Sequence, residues 1–200
     1  ALKRDSNGAV YINEKGEIAK EPVTDVANYI KLGSVLPDAN MAWRNDFRWR
    51  NFNFGFMVSA RLGGVVFSRT QSMLDYYGVS EATAAARDAG GVMINGNDLV
   101  DANKWYTAIG GGNSVPQYYT YSATNVRLQE ASIGYTIPKK TLGDICEITL
   151  SLVGRNLWMI YNKAPFDPEI TASTGTYYQG LDYFMQPSSR TIGFSVRLQF

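Results

Sequence analysis

Alternation of apolar and polar residues with a period of two is the feature of this sequence that most restricts its fold. Over residues 52–64 every second position is apolar, and these positions are Phe52, Phe54, Phe56, Val58, Ala60 and Leu62. The positions between them are mostly small or polar, namely Asn53, Gly55, Met57, Ser59, Arg61 and Gly63. Because successive side chains of a β-strand point to opposite faces, this run predicts a strand with one apolar and one polar face.

The same period recurs in other segments, which are residues 42–50, 120–136, 146–161 and 188–200. Only Arg50 and Asn51 separate the first of these from the run described above, which predicts a tight hairpin over residues 41–66. A change of phase near Gln129 and Glu130 predicts a β-bulge. The sequence therefore predicts five antiparallel strands, the last over residues 188–200.

The connections between these strands differ strongly in length. A second hairpin, over residues 120–161, has a short polar turn at residues 137–145. The remaining segments are long and irregular, and they are residues 1–40, 67–119 and 162–187. Loops of this length are uncommon in compact soluble domains and usually carry function. Within 67–119, one helix is predicted from Glu81 to Asp88, with Ser80 as its N-cap.

Composition excludes several classes of function. The chain has 200 residues with 19 Lys and Arg against 18 Asp and Glu, a net charge of +1, so nucleic acid is not an expected partner. It has no His and one cysteine, Cys146, which removes the commonest proton shuttle and any Cys-rich zinc site. We therefore predict no catalytic residue, no metal site and no cofactor, and we do not expect an enzyme.

Strand alternation combined with short turns and long loops predicts a membrane barrel. The sequence has no apolar run of about 18 residues, the signal of a membrane helix, but barrel strands alternate and need no such run. If the last strand ends in the periplasm, the strand directions place both short turns there and all long segments outside. The predicted fold class is all-β, an antiparallel transmembrane β-barrel segment with extracellular loops at 1–40, 67–119 and 162–187.

Several short motifs point to one family. They are NVRLQEASIGYTIP at residues 125–138, VGRNL at 153–157, FDPE at 166–169 and QPSSRT at 186–191, with GSVLP at 33–37 and the segment 82–96 upstream. In order and spacing they resemble the SusC/RagA family of TonB-linked outer-membrane transporters of Bacteroidetes. The resemblance covers nearly the whole chain.

This resemblance implies the C-terminal part of a TonB-dependent transporter, with the last five or so strands of a roughly 22-stranded barrel. Such proteins have an N-terminal plug and a TonB box, import oligosaccharides or peptides, and work with a SusD-like surface lipoprotein. The implied location is the outer membrane of a Gram-negative bacterium, as a multi-pass protein. The other implied partners are the TonB complex, reached through the missing N-terminal part, the barrel-assembly machinery, outer-membrane lipid and the substrate.

Aromatic side chains in the predicted loops are candidate substrate-binding residues. Flat rings suit the apolar faces of sugar rings, although packing within a loop or contact with a lid protein would use the same side chains. The candidates are Trp105, Tyr106, Tyr118, Tyr119, Tyr177 and Tyr178.

The polar face of the first hairpin carries arginines, and Arg44, Arg48 and Arg61 are predicted to face the barrel lumen. They would either line a substrate path or pair with acids inside the barrel, because barrel interiors are polar. On the last strand, Phe194 and Phe200 resemble the terminal aromatic signal that the barrel-assembly machinery reads.

Asp167 and Glu169 form the kind of carboxylate pair that glycoside hydrolysis requires. They lie in a turn-like Asp-Pro-Glu segment, however, and the family resemblance implies a structural role for them.

Two other functions fit short alternating strands. One is a passive outer-membrane porin, which would lack a plug and a TonB box. The other is a soluble β-sandwich module that binds carbohydrate, which would fold alone in water.

Overall fold

The computed structural model describes residues 1–170, 175 and 178–200. The chain forms two compact units. The sheet unit comprises Ser34–Val65, Ser122–Ile170 and Gln186–Phe200, and the loop unit comprises Ala1–Gly33, Val66–Tyr121 and the described residues of Thr171–Met185.

The regular elements are as follows in chain order. The strands are β1 (Ala39–Trp49), β2 (Phe52–Leu62), β3 (Val65–Ser68), β4 (Val92–Ile94), β5 (Asp98–Val100), β6 (Thr120–Ser122), β7 (Asn125–Ile137), β8 (Glu147–Asn162), β9 (Leu181–Asp182) and β10 (Thr191–Gln199). The helices are α1 (Arg69–Tyr76), α2 (Glu81–Asp88) and α3 (Ala102–Ile109). Single 3-10 turns occupy Val26–Asn28, Pro116–Tyr118 and Lys139–Leu142.

One five-stranded sheet forms the sheet unit, in the order β1-β2-β7-β8-β10, and every neighbouring pair is antiparallel. These strands are the five that the alternating segments predict. The predicted all-β antiparallel fold class is thereby confirmed, with helices longer than one 3-10 turn confined to the loop unit among the described residues.

Local chemistry fixes the two short turns of this sheet. Between β1 and β2, Arg50 adopts a φ of 53°, in the left-handed region that a tight turn requires. Between β7 and β8, the 3-10 turn Lys139–Leu142 ends at Gly143, where φ is 68° and a side chain would be strained. Both turns lie at the same end of the sheet, because β1, β7 and β10 run in one direction and β2 and β8 in the other.

The predicted bulge is present in β7. The pairing of β7 with β8 shifts between Leu128 and Glu130, where the sequence changes phase. The pairing of β2 with β7 shifts at the same place, where Met57 pairs with Glu130 and Val58 with Leu128, so Gln129 is the extra residue of β7. The extra residue keeps the apolar residues before and after the bulge on one face of the sheet.

The loop unit contains much more regular structure than the sequence predicts. The helix at Glu81–Asp88 is confirmed, with the Ser80 hydroxyl accepting a hydrogen bond from the Thr83 amide at 3.2 Å. The prediction of an otherwise irregular segment over 67–119 is wrong, because α1, α3 and the β4–β5 hairpin also form there. Ser68 and Asp101 cap α1 and α3 in the same way as Ser80 caps α2.

A small hydrophobic core holds the loop unit together. It combines side chains from the N-terminal segment with side chains around α3, and its buried members are Leu2, Val10, Ile18, Ile94, Val100, Trp105, Ile109, Val115 and Tyr119. Residues 1–20 reach this core as a folded-back ribbon with bridges that include Leu2 to Lys20 and Ile12 to Ile18. Within the described part of the chain, no helix is long and apolar enough to cross a membrane.

Candidate functional site

The five-stranded sheet carries a continuous apolar face. One row of paired positions crosses all five strands and contains Phe47, Phe54, Ile133, Leu152 and Phe194. Each of these side chains lies 46–68% exposed. The Phe47 and Phe54 rings stack with their centroids 6.3 Å apart. Side chains of this row therefore contact their neighbours on adjacent strands, but their outer surfaces remain exposed.

Neighbouring rows on this face have the same character. Trp49, Phe52 and Tyr135 are paired across the three strands next to the short turns, and Phe52 meets Tyr135 edge-on at 5.0 Å. A large exposed apolar surface is costly in water and marks a surface that contacts lipid or another protein. A band of outward apolar side chains with aromatic residues near its ends is the surface that barrel strands present to lipid.

The opposite face of the sheet is polar and contains a row of ion pairs. Arg44 Nε lies 2.9 Å from Asp46 Oδ2, and Arg44 Nη1 lies 3.9 Å from Glu130 Oε1. Arg155 Nε lies 3.2 Å from the other oxygen of Glu130. The predicted lumen residue Arg44 is therefore engaged with acids of its own sheet in this structure.

The other two predicted lumen arginines differ from Arg44. Arg61 Nη2 donates a hydrogen bond to the Val35 carbonyl at 2.9 Å, which ties the segment before β1 to β2. Arg48 forms no ion pair with any residue that the structure describes. Of the three, Arg48 thus remains available to a group outside this chain, and the lumen assignment itself stays a prediction.

A buried arginine on the same polar face organises the loop that follows β8. Arg127 is 2% exposed, and its Nη2 lies 2.6 Å from Asp167 Oδ1 and 3.5 Å from Glu169 Oε2. Its Nη1 donates to Asn156 Oδ1 at 2.7 Å. Asp167 and Glu169 thus hold one guanidinium, which is the structural role that the family resemblance implies for them.

The environment of Asp167 keeps its carboxylate ionised. Burial acts to raise the pKa of Asp167, but hydrogen bonds from Ser188 and Arg127 and from the Glu169 amide outweigh it, so the pKa lies below its ordinary value. A general acid for glycoside hydrolysis needs a raised pKa instead. The arrangement therefore does not fit acid catalysis by Asp167.

Asn156 extends this cluster to the strand that follows. Its φ of 52° in the middle of β8 turns the side chain so that Nδ2 donates to the Ser188 carbonyl at 2.8 Å. The Ser188 amide in turn donates to Asp167 Oδ2 at 3.4 Å. Arg127, Asn156 and Asp167 thus connect both ends of the segment between β8 and β10, and we call these three residues the loop clamp.

Sequence reasoning did not identify Arg127, although it noted its two acidic partners. Arg127 lies in the NVRLQEASIGYTIP motif on the polar side of a strand, where an arginine is unremarkable. Forty positions separate it from Asp167 in sequence. The only available signal was an Arg on a strand followed by a pair of acids in a later Pro-containing turn.

The predicted substrate-binding aromatics fall into different environments. Trp105 and Tyr119 are 8% and 1% exposed in the core of the loop unit, so neither offers a ring face to a ligand, and we correct the prediction for both. Tyr106 is half-buried, while Tyr118 and Tyr178 are exposed. Tyr177 lies outside the described residues.

Both predicted assembly-signal residues are exposed. Phe194 lies on the apolar face of β10, and Phe200 follows the end of that strand with 81% exposure. Cys146 is half-buried and stands just before β8.

This chain is similar in sequence to two TonB-dependent receptors. No family model matches it. It is 25% identical over 177 residues to TonB-dependent receptor P3 of Formosa agariphila, covering 84% of this chain and 17% of that protein. It is 24% identical over 204 residues to TonB-dependent receptor P26 of the same organism, covering 96% of this chain and 20% of that protein.

The fold also matches a solved structure. The structure of the RagAB peptide importer in the open-open state aligns with a TM-score of 0.65 and 13% identity, over 96% of this chain and 20% of that chain. The chain thus spans about a fifth of the length of its relatives. The resemblance to TonB-linked transporters that the sequence motifs indicate is confirmed.

Proposed function

We propose that this chain is the C-terminal barrel portion of a TonB-dependent outer-membrane importer of oligosaccharides or peptides. The observation that carries this function is the sheet with two different faces, one apolar and the other polar with ion pairs between its side chains. It occurs in a chain that is similar to TonB-dependent receptors. The apolar face would contact outer-membrane lipid and the polar face the barrel lumen. The protein would span the membrane many times and act as a transporter, not as an enzyme.

The loop unit would lie outside the cell and meet a SusD-like lipoprotein. Support comes from the lengths of the connections, since both short turns lie at one end of the sheet and the loop unit is built from the long connections. Deletion of the loop unit should abolish binding of this lipoprotein, whereas substitutions confined to the sheet should leave binding unchanged. The TonB complex would act through the part of the protein that precedes this chain.

Energy coupling decides between this importer and a passive porin. The full-length protein, expressed in a Bacteroidetes host, should support uptake of a fluorescently labelled oligosaccharide or peptide mixture. We expect uptake to stop when TonB is deleted, because an importer with a plug opens only when it is driven. Undiminished uptake without TonB would favour the porin and contradict the proposal.

The soluble β-sandwich module is disfavoured by the sheet itself. A sandwich buries one face of each sheet against a second sheet about 10 Å away. Here Phe47, Phe54 and Phe194 on the apolar face remain about half or more exposed.

A further inference from the structure

The loop unit contains a cavity that the transport argument above does not use. It has a volume of about 300 Å³ and lies between the end of α1, α2 and the start of α3. The side chains that matter for a ligand are Asp75, Tyr76, Tyr77, Arg87, Asn103 and Tyr106. Such a volume is at the lower end of the range for small-ligand sites and suits one ring of a larger ligand.

Contacts within the loop unit hold the walls of this cavity in place. Tyr76 packs against Gly111, where φ is 80° and an added Cβ would approach the ring to 2.7 Å. Its ring meets that of Tyr77 edge-on, with centroids 5.1 Å apart, so the two rings form a corner. The Tyr106 hydroxyl donates to the Ala82 carbonyl at 3.3 Å. A ligand would therefore meet aromatic groups that are already ordered.

Two charged residues of opposite sign belong to the cavity wall. Asp75 is 5% exposed and accepts a hydrogen bond from Gln71 Nε2 at 2.8 Å, which leaves acceptor capacity on the carboxylate. Burial first, and then the charge of Asp75, raise the pKa of Tyr106. Arg87 is exposed, and its Nη1 donates to the Gly78 carbonyl at 2.9 Å, which leaves other donors free for a ligand.

We propose that this cavity binds one neutral sugar ring of an oligosaccharide, with Asp75 accepting from ring hydroxyls, Arg87 and Asn103 donating to them, and Tyr77 packing on an apolar ring face. The proposal rests on the proposed function, of which it specifies the substrate class. A sugar presents many hydroxyls that both donate and accept, together with apolar C–H faces, and this wall offers a partner for each.

Charge and shape favour this ligand over the alternatives. The charges of Asp75 and Arg87 balance, so neither an anionic nor a cationic ligand gains from the cavity as a whole. A buried carboxylate in particular disfavours sulfated or uronic sugars, because like charges repel strongly at low dielectric. The flat Tyr77 ring suits the apolar C–H face of a sugar ring better than it suits the polar backbone of an extended peptide. Of the aromatics predicted from the sequence, Tyr106 alone lines this cavity.

Ligand contact can be measured on the full-length protein in lipid nanodiscs by saturation-transfer difference NMR. The probes are maltose, cellobiose and lactose, with tri-alanine as the peptide probe. We expect ring protons of at least one disaccharide to receive saturation. We expect its affinity to fall by about tenfold in Tyr77→Ala, the loss of one aromatic stacking contact, and at least as much in Asp75→Asn.

Tyr29→Ala is the matched control, because Tyr29 is an exposed tyrosine of the same unit that does not line this cavity. Its binding should equal that of the unaltered protein. The proposal is overturned if no disaccharide binds, if binding survives both cavity variants, or if tri-alanine binding is what Tyr77→Ala removes. TonB-dependent uptake that persists alongside any of these results would leave the transport function standing while rejecting this ligand site.

Discussion

Arg127 illustrates how one buried charge can organise a loop. Its side chain is 2% exposed and that of its partner Asp167 is 9% exposed, so the pair is shielded from water. The ion pair between Arg155 and Glu130 has comparable chemistry, but the Arg155 side chain is 69% exposed. Removing one partner of a buried pair leaves an uncompensated charge, whereas exposed pairs contribute little.

Loss of the loop clamp should therefore expose the segment after β8. In Arg127→Ala we expect local destabilisation of about 3 kcal/mol or more and much faster tryptic cleavage after the exposed Lys163. Gel analysis of the full-length protein over a digestion time course measures this. Arg155→Ala is the control and should be cleaved like the unaltered protein. Equal cleavage rates in all three proteins would show that the clamp does not hold the segment.

The clamp should also respond to acid. The pKa of Asp167 is lower in the folded protein than its ordinary value of 3.8, so its ionised form stabilises the fold above pH 3.8. This stabilisation is lost as the pH falls below 3.8 and through the lower, folded pKa. Hydrogen exchange of residues 186–190, corrected for the intrinsic effect of pH, should show a matching loss of protection.

Asp167→Asn provides the control for this titration. An Asn side chain keeps the shape but has no charge to lose, so its exchange protection should be weaker at neutral pH and should show no step below pH 3.8. A step of the same size in the variant would assign the titration to another group.

For single residues, the sequence singles out the acids Asp167 and Glu169 but gives no sign of their partner Arg127. Asp167 and Glu169 stand out because acids two residues apart flank a proline. Arg127 does not stand out, because strand alternation assigns it only to a face. Its burial results from long-range packing of β7 against the segment after β8, which local sequence does not encode.

Among the elements, β2 separates two environments residue by residue. Phe54 lies on the apolar face between Phe47 and Ile133, and its neighbour Asn53 lies on the polar face between Arg48 and Gly134. Period-two alternation was sufficient to assign these faces before the structure was known. The same alternation identified the bulge at Leu128–Glu130, because a bulge is the only way for a strand to change phase and keep its apolar face.

A charge placed on the two faces of β2 should have opposite consequences. Phe54→Arg puts a cation where lipid contact is proposed, two positions from the level of Trp49, and should cost about 1–2 kcal/mol, less than at the middle of the bilayer. We expect outer-membrane fractions to contain less folded protein, measured as the gel band whose mobility changes when the sample is heated. Asn53→Arg, one position away, should give normal amounts. Equal yields from both variants would contradict the assignment of the faces.

Two of the three helices of the loop unit, α1 and α3, were not predicted from the sequence. Each is eight residues long, which is too short for a clear helical period, and only α2 carries a run of alanines that reveals it. The burial of Trp105 in α3 and of Tyr119 was not predicted, because it depends on contacts between distant parts of the chain. A core formed by residues 1–20 and residues around α3 joins parts of the chain that no local pattern relates.

Considered as a whole molecule, the chain has a sheet unit whose apolar face is exposed. The row from Phe47 to Phe194 needs lipid or detergent around it, because exposed apolar patches of this size drive association in water. The outer edges of β1 and β10 pair with no strand among the described residues, and they add a second reason for association because unpaired strand edges act as templates.

Residues 1–200 expressed alone should accordingly aggregate in detergent-free buffer. Size-exclusion chromatography and light scattering would measure this, with a mild detergent added to a parallel sample. A monodisperse monomer without detergent would support the soluble carbohydrate-binding module instead. The full-length protein in nanodiscs should remain monodisperse.

The tryptophans of the sheet have a consequence for how deeply the protein sits. Trp43 and Trp158 share one row of paired positions through Val58 and Leu128, while Trp49 lies six positions further along β1. At about 3.4 Å per residue, these indoles are separated by about 20 Å along the strand, and by less along the bilayer normal once the strand tilts. Tryptophan settles at the headgroup level. Trp43 and Trp158 would therefore lie at one headgroup level and Trp49 at the other. Their separation matches a hydrocarbon layer thinner than that of an average membrane.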